Sequence, residues 1–198
     1  MKRIFIENKP MYLSNDQLKL FCLECVKSVD ESAESKIFPL LEQLVKQHSI
    51  VNVYKAVDSI EDFEESLNTL LYEDRNFKDY DLLYFICGGS ENEIIVNDYL
   101  YTLEEIAELF EGKLKGKILH FANSKILNLD SETAQYFLDV TGAKAISGYQ
   151  HQNFSSSMLL DYHFFSLYPD FDDVTDVVEA LFQKHYALCT NLGFHLYY

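Results

Sequence analysis

No apolar run in the 198 residues approaches the roughly 20 that a helix needs to cross a bilayer. The amino-terminal MKRIFIENKP also lacks the small-residue cleavage site of a signal peptide. A cytoplasmic protein is therefore expected. Basic residues are scarce, with 16 Lys and Arg against 32 Asp and Glu and a formal net charge of −16. Such a chain repels polyanions, so neither nucleic acid nor an anionic membrane is expected as a partner. The acidity itself is expected to keep an aromatic-rich protein in solution. Cysteines number only four, at 22, 25, 87 and 189, which makes no disulfide framework. Their apolar neighbours point to buried thiols in a reducing compartment.

The familiar chemical signatures are missing as well. Gly88-Gly89 has neither the GxGxxG spacing of a dinucleotide loop nor the GxxxxGK[ST] of a phosphate loop. Its glycines are expected to permit a tight exit from a sheet. Cys22-Leu-Glu-Cys25 has the C-x-x-C form, but it falls in or at the end of a strand rather than at a helix N-terminus, and no second ligand pair follows. No G-x-S-x-G elbow surrounds any serine. Asp170, Asp172, Asp173 and Asp176 lack the twelve-residue calcium loop pattern and are expected to form a turn and a helix cap. His151, Asp161 and His163 match no metal-ligand spacing. No metal and no cofactor is therefore expected. His120 and Ser124 bracket the end of an apolar run in ILHFANSK, and His120 reads as a hydrogen-bonded core or rim histidine.

What is present is an alternation of short apolar runs with amphipathic ones. The most apolar run, YDLLYFICGG at 80–89, is bounded by polar residues and by glycines, as a strand buried on both faces is. Further strands are predicted at 18–24, 50–54, 117–122 and 143–147, the last ending at Gly148. Helices are predicted on the stripes Ile37, Leu40, Leu41, Leu44, Val45 and Ile60, Phe63, Leu67, Leu70, Leu71. Others begin at Thr102, which forms a capping box with Glu105, and span 131–140, 155–167 and 174–189. Glu93 to Val96 and Tyr99 to Tyr101 read as a hairpin turning at Asn97-Asp98. Residues 1–17 form an arm or edge strand, with Ser14 and Gln17 as a possible capping box, and 190–198 a tail in which 194–197 is a strand or an arm. One α/β domain over 1–198 is expected, a mostly parallel sheet of about six strands covered by helices on both faces with a small hairpin insertion.

LKLFCLE, IFPLLEQL, YDLLYFICGG followed by EII, LEEIAELFEGKLKGKILHFANSKIL and TGAKAISGY together resemble the caspase-like peptidase fold. Within it they resemble a small bacterial family of the CHAT type. The resemblance spans about residues 18–168, and implies a three-layer α-β-α sandwich. In active members the strand at 82–87 ends in His-Gly and the next core strand in a small residue followed by Cys. Carried over, the histidine position holds Gly88 and the nucleophile position holds Ser124, so the His-Cys dyad is missing. Glycine cannot take a proton, and a serine without a base is a poor nucleophile near neutral pH. The resemblance thus implies a catalytically inactive domain that serves as a protein-interaction or scaffolding module. One alternative is a peptidase-like hydrolase using Ser124 with a displaced base, His120 or His151. Another is a structural homo-oligomer built on the aromatic 162–168 segment and the FHLYY tail.

Overall fold

Leu82 to Ile86 is apolar at all five positions because it lies in the middle of a sheet with helices on both sides. In the computed structural model, which describes residues 18–29, 35–90, 92–122, 128–151 and 153–198, this strand is β3. The other strands are β1 (Lys19–Cys25), β2 (Val51–Val57), β4 (Gly88–Ser90), β5 (Glu93–Val96), β6 (Tyr99–Thr102), β7 (Ile118–Ala122), β8 (Ala145–Tyr149) and β9 (Phe194–Tyr197). The main sheet has the order β2-β1-β3-β7-β8-β9, parallel except for β9. A second, three-stranded antiparallel sheet, β4-β5-β6, leaves the end of β3.

The helices are α1 (Phe38–His48), α2 (Ile60–Asn68), α3 (Leu103–Leu109), α4 (Ser131–Thr141), α5 (Phe154–Leu167) and α6 (Val174–Leu192). Strand alternation divides their work. Leu83, Phe85 and Cys87 pack toward Phe63 and Leu67 of α2, Ile106 of α3 and Phe137 of α4. Leu82, Tyr84 and Ile86 pack toward Leu40 and Leu44 of α1, Phe164 and Phe165 of α5, and Val177 and Leu181 of α6. Three helices therefore cover each face, giving the expected three-layer sandwich. Each large side chain so buried stabilises the fold by roughly 1.5–3 kcal/mol.

Local chemistry sets most of the boundaries. Ser59, Asp130, Asn153 and Asp173 cap α2, α4, α5 and α6 through their side chains. Thr102 and Glu105 complete the capping box of α3. Asn97 and Asp98 take positive φ, +45° and +65°, as a two-residue hairpin turn requires. The helix expected from Ser155 begins one residue earlier, at Phe154, because Asn153 supplies the cap. Val45 departs from the expected stripe and is exposed, lying beyond the arc that α1 presents to the sheet. Gly148 does not end its strand. β8 runs on to Tyr149 because β9 pairs antiparallel with Ile146 to Tyr149 and extends it. That pairing also makes 194–197 a strand with Phe194 buried in the core. The expectations for residues 1–17 lie outside the described residues.

Candidate functional site

In parallel sheets of this kind, ligand and reaction chemistry gather where the strands end. Here that rim holds Cys25 at the end of β1, Cys87 and Gly88 after β3, Ala122 at the end of β7, and Tyr149 to His151 after β8. Ile86 pairs with Ala122 across the β3–β7 register, so these two strands end side by side. Ser124 lies two residues beyond Ala122 and outside the described residues.

The two glycines at the end of β3 are held for different reasons. A Cβ at Gly89 would come within 2.1 Å of the Glu93 carbonyl oxygen, so β4 and β5 can pair this closely only over a glycine. Among the described residues, a Cβ at Gly88 would meet nothing within 4 Å. The tight exit expected of the pair therefore belongs to Gly89. No described residue packs where a Gly88 side chain would sit.

The cysteines need correcting. Cys25 and Cys87 form a disulfide, with their Cα atoms 4.8 Å apart and a sequence separation of 62. Leu23 pairs with Phe85 and Glu24 with Ile86, so the next position of each strand brings the two sulfurs together. No framework was expected because the pairing depends on β1 and β3 being neighbours, which cysteine spacing alone does not reveal. Cys22 and Cys189 are buried free thiols, as expected. Burial pushes the Cys22 thiol well above its ordinary value, and the charges of Glu24 and Asp161 raise it further. Cys22 and Cys25 do not pair, since residues three apart on a strand point to opposite faces.

His120 is a core histidine with both ring nitrogens engaged. Its Nδ1 lies 2.8 Å from Ser147 Oγ and its Nε2 lies 2.8 Å from Asp161 Oδ1. Tyr84 donates its hydroxyl to Asp161 Oδ2 at 2.5 Å, and Tyr149 donates to Asp161 Oδ1. Ser147, His120 and Asp161 are the residue types of a hydrolytic triad, but each is 0% exposed. Nothing from solvent can meet Ser147, so the trio is a buried polar network. Its logic is local: Cys22, Tyr84, His120 and Ser147 occupy one row across β1, β3, β7 and β8, and Asp161 of α5 lies over that row. Burial and then the Asp161 charge hold the Tyr84 and Tyr149 hydroxyls well above their ordinary range, so both stay protonated donors.

His151, the other candidate base, is exposed on the rim after β8, its backbone N–H bonded to the Leu192 carbonyl at 3.0 Å. It is not gathered with Asp161 and His163. Asp161 points into the core, whereas His163 stacks on His185 with ring centroids 3.8 Å apart. Burial, then the His185 charge, lowers the His163 pKa below its ordinary value. Among the described residues no group of three or more His, Cys, Asp or Glu is arranged to hold a metal ion. Nor is any described helix long and apolar enough to cross a membrane. Of the 162–168 aromatics, Phe164 and Phe165 are core residues, while Tyr162 is half-buried and pairs with His48 at 3.0 Å.

A parallel core sheet with one antiparallel edge strand, three helices to a face and a hairpin leaving the third strand make this a caspase-like α/β sandwich. Caspase-1 from Spodoptera frugiperda shares the fold with a TM-score of 0.53 at 12% identity, over 85% of this chain and 77% of that one. By sequence the chain belongs to a family of unknown function, DUF6642, whose model matches residues 17–198. No curated protein sequence matches it.

Proposed function

We propose that this protein is a catalytically inactive caspase-like domain, related to the CHAT type, that acts as a protein-interaction or scaffolding module. The observation that carries the reading is Gly88. On the family resemblance Gly88 takes the position of the catalytic histidine, and among the described residues nothing lies within 4 Å of where its Cβ would be. The buried network adds support. The buried histidine, His120, has both nitrogens committed to Ser147 and Asp161, so serving Ser124 as a base would cost it one of those bonds. Leaving a buried polar group without its hydrogen-bond partner typically costs about 1–3 kcal/mol.

The test is hydrolysis of diverse peptide libraries by the wild type beside Ser124→Ala. No cleavage above background by either protein is expected. Cleavage by the wild type that Ser124→Ala abolishes overturns the proposal and establishes Ser124 as a nucleophile with a displaced base.

A further inference from the structure

Among the described residues, strand β2 is an edge, and an unprotected one. Its seven residues pair one-for-one with β1 without a bulge, contain no proline and carry one charge, Lys55. Natural edges are usually blunted by such devices, because a bare edge is a template for another strand. The opposite edge, β9, is shorter, at four residues. The Val51 N–H donates to the Leu18 carbonyl at 3.1 Å, and the Val57 carbonyl accepts from the Val26 N–H at 2.8 Å. Odd-numbered residues of β2 thus turn their backbone groups toward β1. In a parallel pair the alternate residues face the other way, so Asn52, Tyr54 and Ala56 present their N–H and C=O groups outward. Among the described residues no strand pairs with that side.

A groove lies beside the strand on each face of the sheet. On the α2 side a groove of about 260 Å³ is lined by Val53, Lys55, Glu65, Leu70 and Asp74. On the α1 side one of about 530 Å³ is lined by Phe38, Leu41, Val45 and Tyr54, with Glu42 already bonded to Lys46. Val51 and Val53 stay exposed on the first side, at 39% and 42%. A strand added to β2 would send alternate side chains into the two grooves. The grooves differ in chemistry. The segment 58–74, which carries α2 and flanks the first, has seven carboxylates and no basic residue. The second is chiefly apolar.

We infer that β2 receives an extended peptide strand of a partner protein by β-augmentation, with basic residues on the α2 side and apolar residues on the α1 side. Charge selects this occupant over a second copy of the chain, since two edges flanked by carboxylates on molecules of charge −16 repel each other. The inference rests on the interaction reading above, giving it a location and a partner chemistry. Its edge is separated from β3 and Gly88 by β1, so peptide binding and peptide cleavage fail or succeed separately.

The experiment is fluorescence anisotropy of the full chain with the labelled peptide Lys-Val-Lys-Val-Lys-Val-Lys, beside its Glu-for-Lys counterpart. Saturable binding of the basic peptide alone is expected, weakening severalfold between low and physiological salt. Val53→Lys, which puts a positive charge in the acidic groove at an exposed site, should weaken it at least tenfold. Ala56→Pro, which removes one outward N–H, should do the same, provided its circular dichroism matches wild type. Equal binding of both peptides, or binding indifferent to Val53→Lys, overturns the proposal. So does a dimer by light scattering that Val53→Lys dissociates, which makes a second copy the occupant. Slow amide exchange at Asn52, Tyr54 and Ala56 in the free monomer also overturns it, because the chain then covers its own edge.

Discussion

Adjacent glycines can have unrelated reasons to exist, and the end of β3 separates them. Gly89 is where β4 crosses β5 too closely for a Cβ, with the Glu93 carbonyl oxygen in the way. Gly88 meets none of the described residues at its Cβ position and has no positive φ to favour it. Gly89→Ala should therefore destabilise by about 2 kcal/mol or more, as other substitutions that force backbone to move do. Gly88→Ala should stay within about 0.5 kcal/mol of wild type. Thermal unfolding of the two variants side by side checks the contrast, and equal losses would show that Gly88 too is held by packing. The pair was visible in the sequence as a strand stop. Its division of labour was not, because that depends on how closely Glu93 returns to it. His120 was legible as a core histidine from its setting in an apolar run. Its partners were not, since Ser147 and Asp161 stand 27 and 41 residues away and meet it through strand register and the seating of α5.

At the level of elements, β1 and β3 are joined twice, by the hydrogen-bonded ladder and by the disulfide at its end. The cross-link closes a span of 62 residues containing α1, β2 and α2. By loop-closure entropy such a constraint stabilises by roughly 4 kcal/mol. Cys25→Ala with Cys87→Ala, or wild type under reductant, should unfold at lower denaturant by an amount near or below this figure. Urea melts with and without reductant measure it, and identical midpoints would show that the bridge adds nothing. The elements themselves were largely readable. Apolar runs of five and stripes at helical spacing put the strands and helices near their places, and caps such as Thr102 and Asp173 stood at the expected starts. What the runs could not reveal was adjacency. β9 read as a strand or an arm because its identity depends on β8 lying beside it, and that same contact carried β8 past Gly148.

For the molecule as a whole, charge opposes what the core favours. A net charge of −16 on a chain this short means that carboxylates repel one another across the folded surface more than in the expanded chain. Added salt screens that repulsion, with a Debye length of about 30 Å at 0.01 M and about 8 Å at 0.15 M. The melting temperature should therefore rise by several degrees between these conditions. Differential scanning calorimetry in NaCl tests this, and a fall would mean that attractive ion pairs dominate the surface. Among the described residues the lysine–carboxylate pairs, Lys46–Glu42 and Lys19–Asp79, are exposed or part-exposed, and contacts of that kind contribute little. The buried row of Cys22, Tyr84, His120 and Ser147 answers a different question, that of alignment. Hydrophobic alternation rejects a strand displaced by one residue, because its faces exchange. It is blind to a displacement by two, which leaves apolar groups pointing inward. Slide β7 two places along β3, and His120 parts from Ser147 while Asp161 is left short of a hydrogen-bond partner in a dry core. The polar row thus works as a vernier, marking the one alignment among those that oil alone would accept.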